Sequence, residues 1–305
     1  MSNKIKVVLS GIYFPVAILR YFEAALRRRD DIDLKTLGPF SNTFIPWGGG
    51  MNLPPKYAKK PDHDLPLSFA NRPGIYKAPD SVFGVEPDLW IQCDAGWWVQ
   101  GRPPAKVVAH IATDPHVLNY DRQRELCDYF FNMQKVYSQP GDIYLPYAAD
   151  PVWHAPMEVE KEWDACLIGL QYAERTKWVD ALRAKGLKVY YDNGPAFKEY
   201  QLQYAKSRVA LSWSSKQDLI ARVFEGMCMK LPVVCNRVPD INEHFMEGKH
   251  LAAFDTLDQA IPAVEHLLMD TTFADRLAKE SHDLVMEKHL YDHRVQQILE
   301  TAGLV

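Results

Sequence analysis

Short apolar strands alternate with amphipathic helices twice along this chain, and a Pro-rich junction, LPYAADPVWHAP (145–156), separates the two series. Parallel strands buried on both faces read as such apolar runs, and the helices between them are the crossovers a parallel sheet requires. The first series predicts strands at 4–9, 32–37, 88–93, 106–111, 129–132 and 142–145, with helices at 15–28 and 117–127. The second predicts strands at 164–168, 187–190, 209–212, 232–235 and 251–254, with helices at 172–185, 196–206, 219–229 and 241–247. Three more helices, at 257–269, 272–288 and 291–301, close the chain. The expected class is α/β: two Rossmann-like parallel-sheet domains, 1–150 and 151–305, facing across a cleft, with the last helix able to pack back on the first domain. Ligands of such sheets bind at the carboxyl ends of the strands.

The first series is interrupted. Residues 38–87, including FIPWGGGMNLPP, are rich in Pro and Gly and show no period. A stretch that long inside a compact domain reads as a functional loop or an irregular surface loop, and Trp47 with three glycines suits a flap over a site. Composition excludes several classes. No apolar run reaches the length of a membrane span, and the start, MSNKIKVVLSGIYFP, reads as a core strand and not as a signal peptide. The five cysteines are scattered and without metal-ligand spacing, as in a cytoplasmic protein that keeps its thiols reduced. A net charge of −4 disfavours nucleic acid as a partner.

The chemistry-bearing residues cluster at predicted strand ends. In the second series, Gly169 permits close approach and Arg175 lies in the first turn of the next helix, while the Asn193-Gly194 turn is expected to need positive φ. Ser214 and neighbouring amides offer donors to an anion, and Arg222 and Glu225 share one face of an otherwise apolar helix. In the first series, Asp114 and His116 follow one strand and Asp94 ends another, the best candidates for orienting an acceptor hydroxyl. His110 with Asp114 and His116 matches no strong metal motif. Trp97 and Trp98 read equally as a sugar platform or as core, and the triplets Asp31-Ile32-Asp33 and Asp62-His63-Asp64 as solvated turns.

R-V-F-E at 222–225, then L-P-V-V, P-D-I-N-E-H-F, E-G-K-H-L-A-A-F and H-x-x-x-H-R, together with D-A-C-L-I-G-x-x-x-x-x-R from Asp164, resemble one family. It is the CgeB-like (spore maturation protein-like) glycosyltransferases of GT-B fold, related to family 4, and the resemblance spans roughly 160–300. It implies transfer of a sugar from a nucleoside-diphosphate sugar by a retaining, metal-independent reaction with no cofactor beyond the donor. Glu225 would accept the ribose hydroxyls, and Arg222 and Arg175 would face the diphosphate. Gln217 stands where family 4 members carry the first glutamate of E-x7-E. The acceptor, a glycan, protein or small molecule, is open. A nucleotide-sugar epimerase and a non-catalytic nucleotide-sugar or glycan-binding protein are the alternatives.

Overall fold

The computed structural model describes residues 4–45, 51–65, 74–94 and 96–305, the side chains of Ile45, Met51 and Asp94 lying outside that description. Trp47 and its three glycines also lie outside the described residues. The chain divides into two compact units, Met1–Pro146 with Tyr291–Val305, and Tyr147–Leu290.

The first unit begins with β1 (Ile5–Ser10), α1 (Leu19–Arg27) and β2 (Ile32–Gly38). The unpatterned region holds only short extended pieces: β3 (Phe44–Ile45), β4 (Met51–Asn52), β5 (His63–Asp64) and β6 (Gly74–Tyr76). Strands of two or three residues leave no period to read. After them come β7 (Leu89–Asp94), β8 (Trp97–Val99), β9 (Val107–Ala112), α2 (Asp121–Leu126), β10 (Tyr129–Asn132) and β11 (Ile143–Tyr144). A seven-stranded parallel sheet runs β11-β10-β9-β7-β1-β2-β5. The strand order turns back between β1 and β7, so that pair marks the switch point of this sheet.

Helix α2 is shorter than its apolar pattern predicts. The carbonyl of Asp114 takes the amides of Val117 and Leu118, a separate turn, and Asn119 Oδ1 takes the Asp121 amide where the helix starts. The tryptophan pair is core: Trp97 and Trp98 are buried in β8, which pairs with β6, and Trp98 packs with Ala112, Tyr120 and Phe130. His110 packs against the same cluster, stacked on Phe130 at 5.3 Å. Asp62 is exposed in a bend, in keeping with a solvated turn, and it is also tied to the sheet. Its Oδ2 accepts from the Thr36 amide and hydroxyl at 2.9 and 3.0 Å, which ties β2 to the chain entering β5.

The second unit carries β12 (Trp163–Ile168), α3 (Ala173–Ala184), β13 (Val189–Asp192), α4 (Lys198–Ala205), β14 (Ser207–Ser212), α5 (Ala221–Cys228), β15 (Val233–Asn236), α6 (Ile241–His244), β16 (Ala252–Phe254), α7 (Leu257–Met269) and α8 (Thr271–Lys288). Its five parallel strands run β13-β12-β14-β15-β16, which puts the switch point between β12 and β14. One side of the sheet packs Trp178, Val179 and Leu182 of α3 with Ala260, Val264 and Leu267 of α7. Helix α5 lies close enough to β14 and β15 that a Cβ on Gly226 would stand 3.1 Å from both Ala210 Cβ and Val233 Cγ2. That contact explains a glycine in the middle of this helix despite its poor helical propensity.

The chain returns to the first unit with α9 (Tyr291–Thr301). Tyr291, fully buried, stacks on Tyr21 and meets Phe22 edge-on, each at 5.1 Å, and Arg28 holds Asp292 through two 2.7 Å hydrogen bonds. All five cysteines are free, and burial pushes the Cys228 and Cys235 thiols up to about 12. Among the described residues no helix is long and apolar enough to cross a membrane.

Candidate functional site: two arginines at the switch point of the second unit

The last residue of β12 is followed by Gly169, whose φ of +145° lies outside the range L side chains adopt freely. A side chain there would run into the Arg222 guanidinium, with Arg222 Cζ at 3.2 Å and Arg175 Nη1 at 3.5 Å from the added carbon. Gly169, Arg175 and Arg222 therefore meet at the carboxyl end of β12, beside the point where the strand order reverses.

The two arginines are held differently. Arg175 is buried, and its guanidinium is bonded to backbone: Nε and Nη2 donate to the Trp213 carbonyl at 3.1 and 2.8 Å, and Nη1 to the Leu170 carbonyl at 2.9 Å. It thus clamps the loop after β12 to the loop after β14. Burial first, and then the neighbouring Arg222 charge, lower its pKa to about 10. Arg222 is half-buried and, among the described residues, makes no hydrogen bond or ion pair. Its Nη1 is buried without an acceptor. No carboxylate neutralises either cation within ion-pair distance among the described residues. Two adjacent positive charges in a partly dry crevice repel each other, and an anion with several oxygens relieves both at once.

Glu225 lies one turn beyond Arg222 on α5 but does not pair with it. Its Oε2 accepts a 2.5 Å hydrogen bond from the Tyr200 hydroxyl, and its Oε1 stands 3.7 Å from His154 Nε2. Burial, then the Glu225 charge, raise the Tyr200 phenol well above its ordinary value, so it stays a donor. Burial also lowers the His154 pKa against the opposing pull of Glu225 and Asp150, which leaves the imidazole neutral at pH 7. Because His154 Nδ1 accepts the Asp150 amide at 3.0 Å, the ring proton sits on Nε2, facing Glu225. Neither Tyr200 nor His154 is legible as a site residue in sequence.

The loop after β14 departs from expectation. Ser214 is buried, and its hydroxyl donates to Asp218 Oδ1 at 2.6 Å while accepting the Lys216 and Asp218 amides, so it is a loop latch and not a free anion donor. Asn236 at the end of β15 completes the latch, its amide group bonding both the Ser214 amide and carbonyl. Gln217 is exposed at φ +57°. The carboxylate in this loop is the next residue, Asp218, buried and committed to Ser214. Asn193 is exposed, and neither it nor Gly194 has positive φ. Asp192 Oδ1 instead takes both of their amides in an Asx turn, and Pro195 restricts Gly194 to extended backbone. The residue of this connection with positive φ is Phe197, at +52° just before α4.

In the first unit, Asp94 ends β7 at that sheet's switch point, its side chain outside the described residues. Asp114 and His116 follow β9, the next strand over. His116 Nδ1 lies 3.0 Å from Gln134 Oε1, and the Gln134 amide nitrogen points at the Thr113 carbonyl at 3.4 Å. That amide orientation places the imidazole proton on Nδ1 and leaves Nε2 as an acceptor. Among the described residues no group of three or more His, Cys, Asp or Glu is disposed to hold a metal ion.

The sequence model of a family described as glycosyl transferase-like matches residues 153–300. Solved structures share the fold over nearly the whole chain at low identity. A sucrose-phosphate synthase from Thermosynechococcus elongatus has a TM-score of 0.63 at 10% identity, covering 98% of both chains. An alpha-glucosyltransferase in complex with UDP and a 13-mer DNA containing a HMU base has a TM-score of 0.62 at 8% identity, covering 98% of this chain and 100% of its own. A weaker likeness, at a TM-score of 0.53 and 12% identity over 99% and 98% of the two chains, is to a UDP-N-acetylglucosamine 2-epimerase. No curated protein matches the chain. The comparisons support a glycosyl transferase-like domain on a fold of the GT-B type.

Proposed function

We propose that the protein transfers a sugar from a nucleoside-diphosphate sugar to an acceptor hydroxyl, with the second unit holding the donor. The observation that carries this reading is the pair of guanidiniums at the switch point of that unit, with no carboxylate paired to either among the described residues. When the bond from the sugar to the diphosphate breaks, negative charge builds on the leaving phosphate. Fixed cations already in place stabilise that charge without reorganising. Arg222 contacts the diphosphate directly. Arg175, whose N–H groups are largely spent on Trp213 and Leu170, acts through its field and by shaping the loop over Gly169. This supply of positive charge fits a metal-independent reaction.

Glu225 accepts the ribose hydroxyls through the lone pairs that Tyr200 leaves open, and Asn193, Ser214 and Gln217 belong to the loops around the nucleotide and sugar. On the acceptor side, His116 Nε2 is an available base or hydroxyl acceptor, with Asp114 and Asp94 at neighbouring strand ends. The CgeB-like resemblance adds family 4 chemistry, with retention of anomeric configuration. UDP is the first nucleotide to try, because it is bound in one structure of like fold. The acceptor is a glycan, a protein or a small molecule.

The test is a thermal-shift screen of nucleoside diphosphates and their sugars, since a ligand that binds only the folded protein raises its melting temperature by mass action. The best donor is then incubated with and without acceptor mixtures. Transfer or slow donor hydrolysis supports the reading. Conversion of the sugar with the nucleotide still attached indicates an epimerase, and binding without turnover a receptor. No shift with any nucleotide overturns all three.

A further inference from the structure

Arg222 and Glu225 stand three residues apart on α5, the spacing at which opposite charges on a helix ordinarily pair, yet they do not. The reason lies in residues from two other elements. Tyr200 of α4 engages Glu225 Oε2, and His154, fixed by the Asp150 amide on its other nitrogen, presents its Nε2 proton towards Oε1. We propose that Tyr200 and His154 are positioning residues that hold the Glu225 carboxylate away from Arg222, leaving the carboxylate to select ribonucleotides and the guanidinium to take the diphosphate. The inference rests on the reading of Glu225 as the ribose contact.

The geometry supports a division of labour. A carboxylate offers about four lone-pair sites. Tyr200 fills one on Oε2, and the neutral imidazole faces Oε1 from a buried position without adding a charge that would neutralise it. The remaining sites suit two vicinal hydroxyls. Released from Tyr200, Glu225 falls within reach of Arg222 and forms the pair that the spacing favours. That pair costs the site both its hydroxyl acceptor and its free cation.

The experiment titrates the full chain with the four ribonucleoside diphosphates and their 2′-deoxy counterparts, for the parent, Glu225→Gln, Tyr200→Phe, the double variant and His154→Leu. The parent is expected to prefer the ribo form by about tenfold, one charged hydrogen bond's worth, and Glu225→Gln to reduce that ratio to about twofold while keeping deoxy affinity. Tyr200→Phe and His154→Leu should lose the ratio and also weaken deoxy binding, by about five- to tenfold, because Arg222 becomes paired. Adding Glu225→Gln to Tyr200→Phe should restore deoxy affinity, a rescue that mere damage to the fold would not permit. If Glu225→Gln loses the ratio but both Tyr200→Phe and His154→Leu keep it, the positioning roles are wrong and the ribose reading stands. If Glu225→Gln keeps the parent ratio, or no diphosphate binds the parent, the ribose reading fails and takes the inference with it.

Discussion

Replacing Arg222 with methionine should make the protein more stable and a worse binder at the same time. Methionine keeps most of the apolar stem and fits irregular space, so little packing is lost. What disappears is a charge with a buried, unpartnered Nη1 beside a second guanidinium whose pKa is already lowered to about 10. Leaving a buried polar group unsatisfied costs about 1–3 kcal/mol, and because Arg222 is only half-buried the low end applies. The ligand-free variant should therefore gain about 1 kcal/mol in urea unfolding. In the complex, a charged hydrogen bond to phosphate is worth about 1.5–3 kcal/mol, so diphosphate affinity should fall about 10- to 150-fold by calorimetric titration. The opposite signs are the diagnostic part. A guanidinium that serves packing would destabilise the ligand-free protein when removed and leave affinity within about threefold. That outcome would refute the anion site.

Gly169→Ala should reproduce the binding defect without removing a charge, since the new methyl displaces the Arg222 guanidinium and the backbone is held at φ +145°. A loss of about 1–3 kcal/mol in urea unfolding should accompany it. Gly226→Ala pits a helix-propensity gain of about 1 kcal/mol against crowding on β14 and β15, and the crowding, about 1–3 kcal/mol, should win as a lowered unfolding midpoint. In the first unit, burial would raise the Asp142 pKa, but hydrogen bonds from Arg124, the Gln139 amide and Asn132 outweigh it and hold the carboxyl below its usual range. A depressed folded pKa stabilises above the unfolded value of about 3.9 and loses that contribution as pH falls through the folded value. Asp142→Ala, which leaves the mostly buried Arg124 only its longer 3.5 Å pair with the exposed Asp121, should cost about 3 kcal/mol at pH 7, a gap to the parent that narrows on titration towards pH 2.

What could be read from the sequence, and what could not, divides along a physical line. The strands of both sheets other than β5 were legible because each is a self-contained apolar run, D-A-C-L-I in β12 or L-P-V-V leading into β15, whose burial needs no knowledge of the neighbours, whereas β5 is only His63–Asp64 and owes its place to pairing with β2. Arg222 and Glu225 were legible for the converse reason: two charges on an apolar helix are costly unless a ligand or partner takes them. The features that escaped all depend on contacts between elements. Ser214 looks like a free hydroxyl until β14 pairs with β15 and brings Asn236 beside it. Asn193-Gly194 looks like a left-handed turn because the local pattern gives no weight to the Asp192 side chain, which supplies the turn hydrogen bonds itself. His154 sits in a Pro-rich junction and Tyr200 on a weakly patterned helix, and only the folded unit sets them on either side of Glu225. The same dependence bears on Gln217. A search for a carboxylate eight residues before Glu225 finds an exposed amide. The folded loop puts its buried carboxylate one residue later, at Asp218, already bonded to Ser214. Asp218 Oδ1 therefore supports the loop, and under the transferase reading proposed above the exposed Gln217 is the side chain at this position open to a donor sugar.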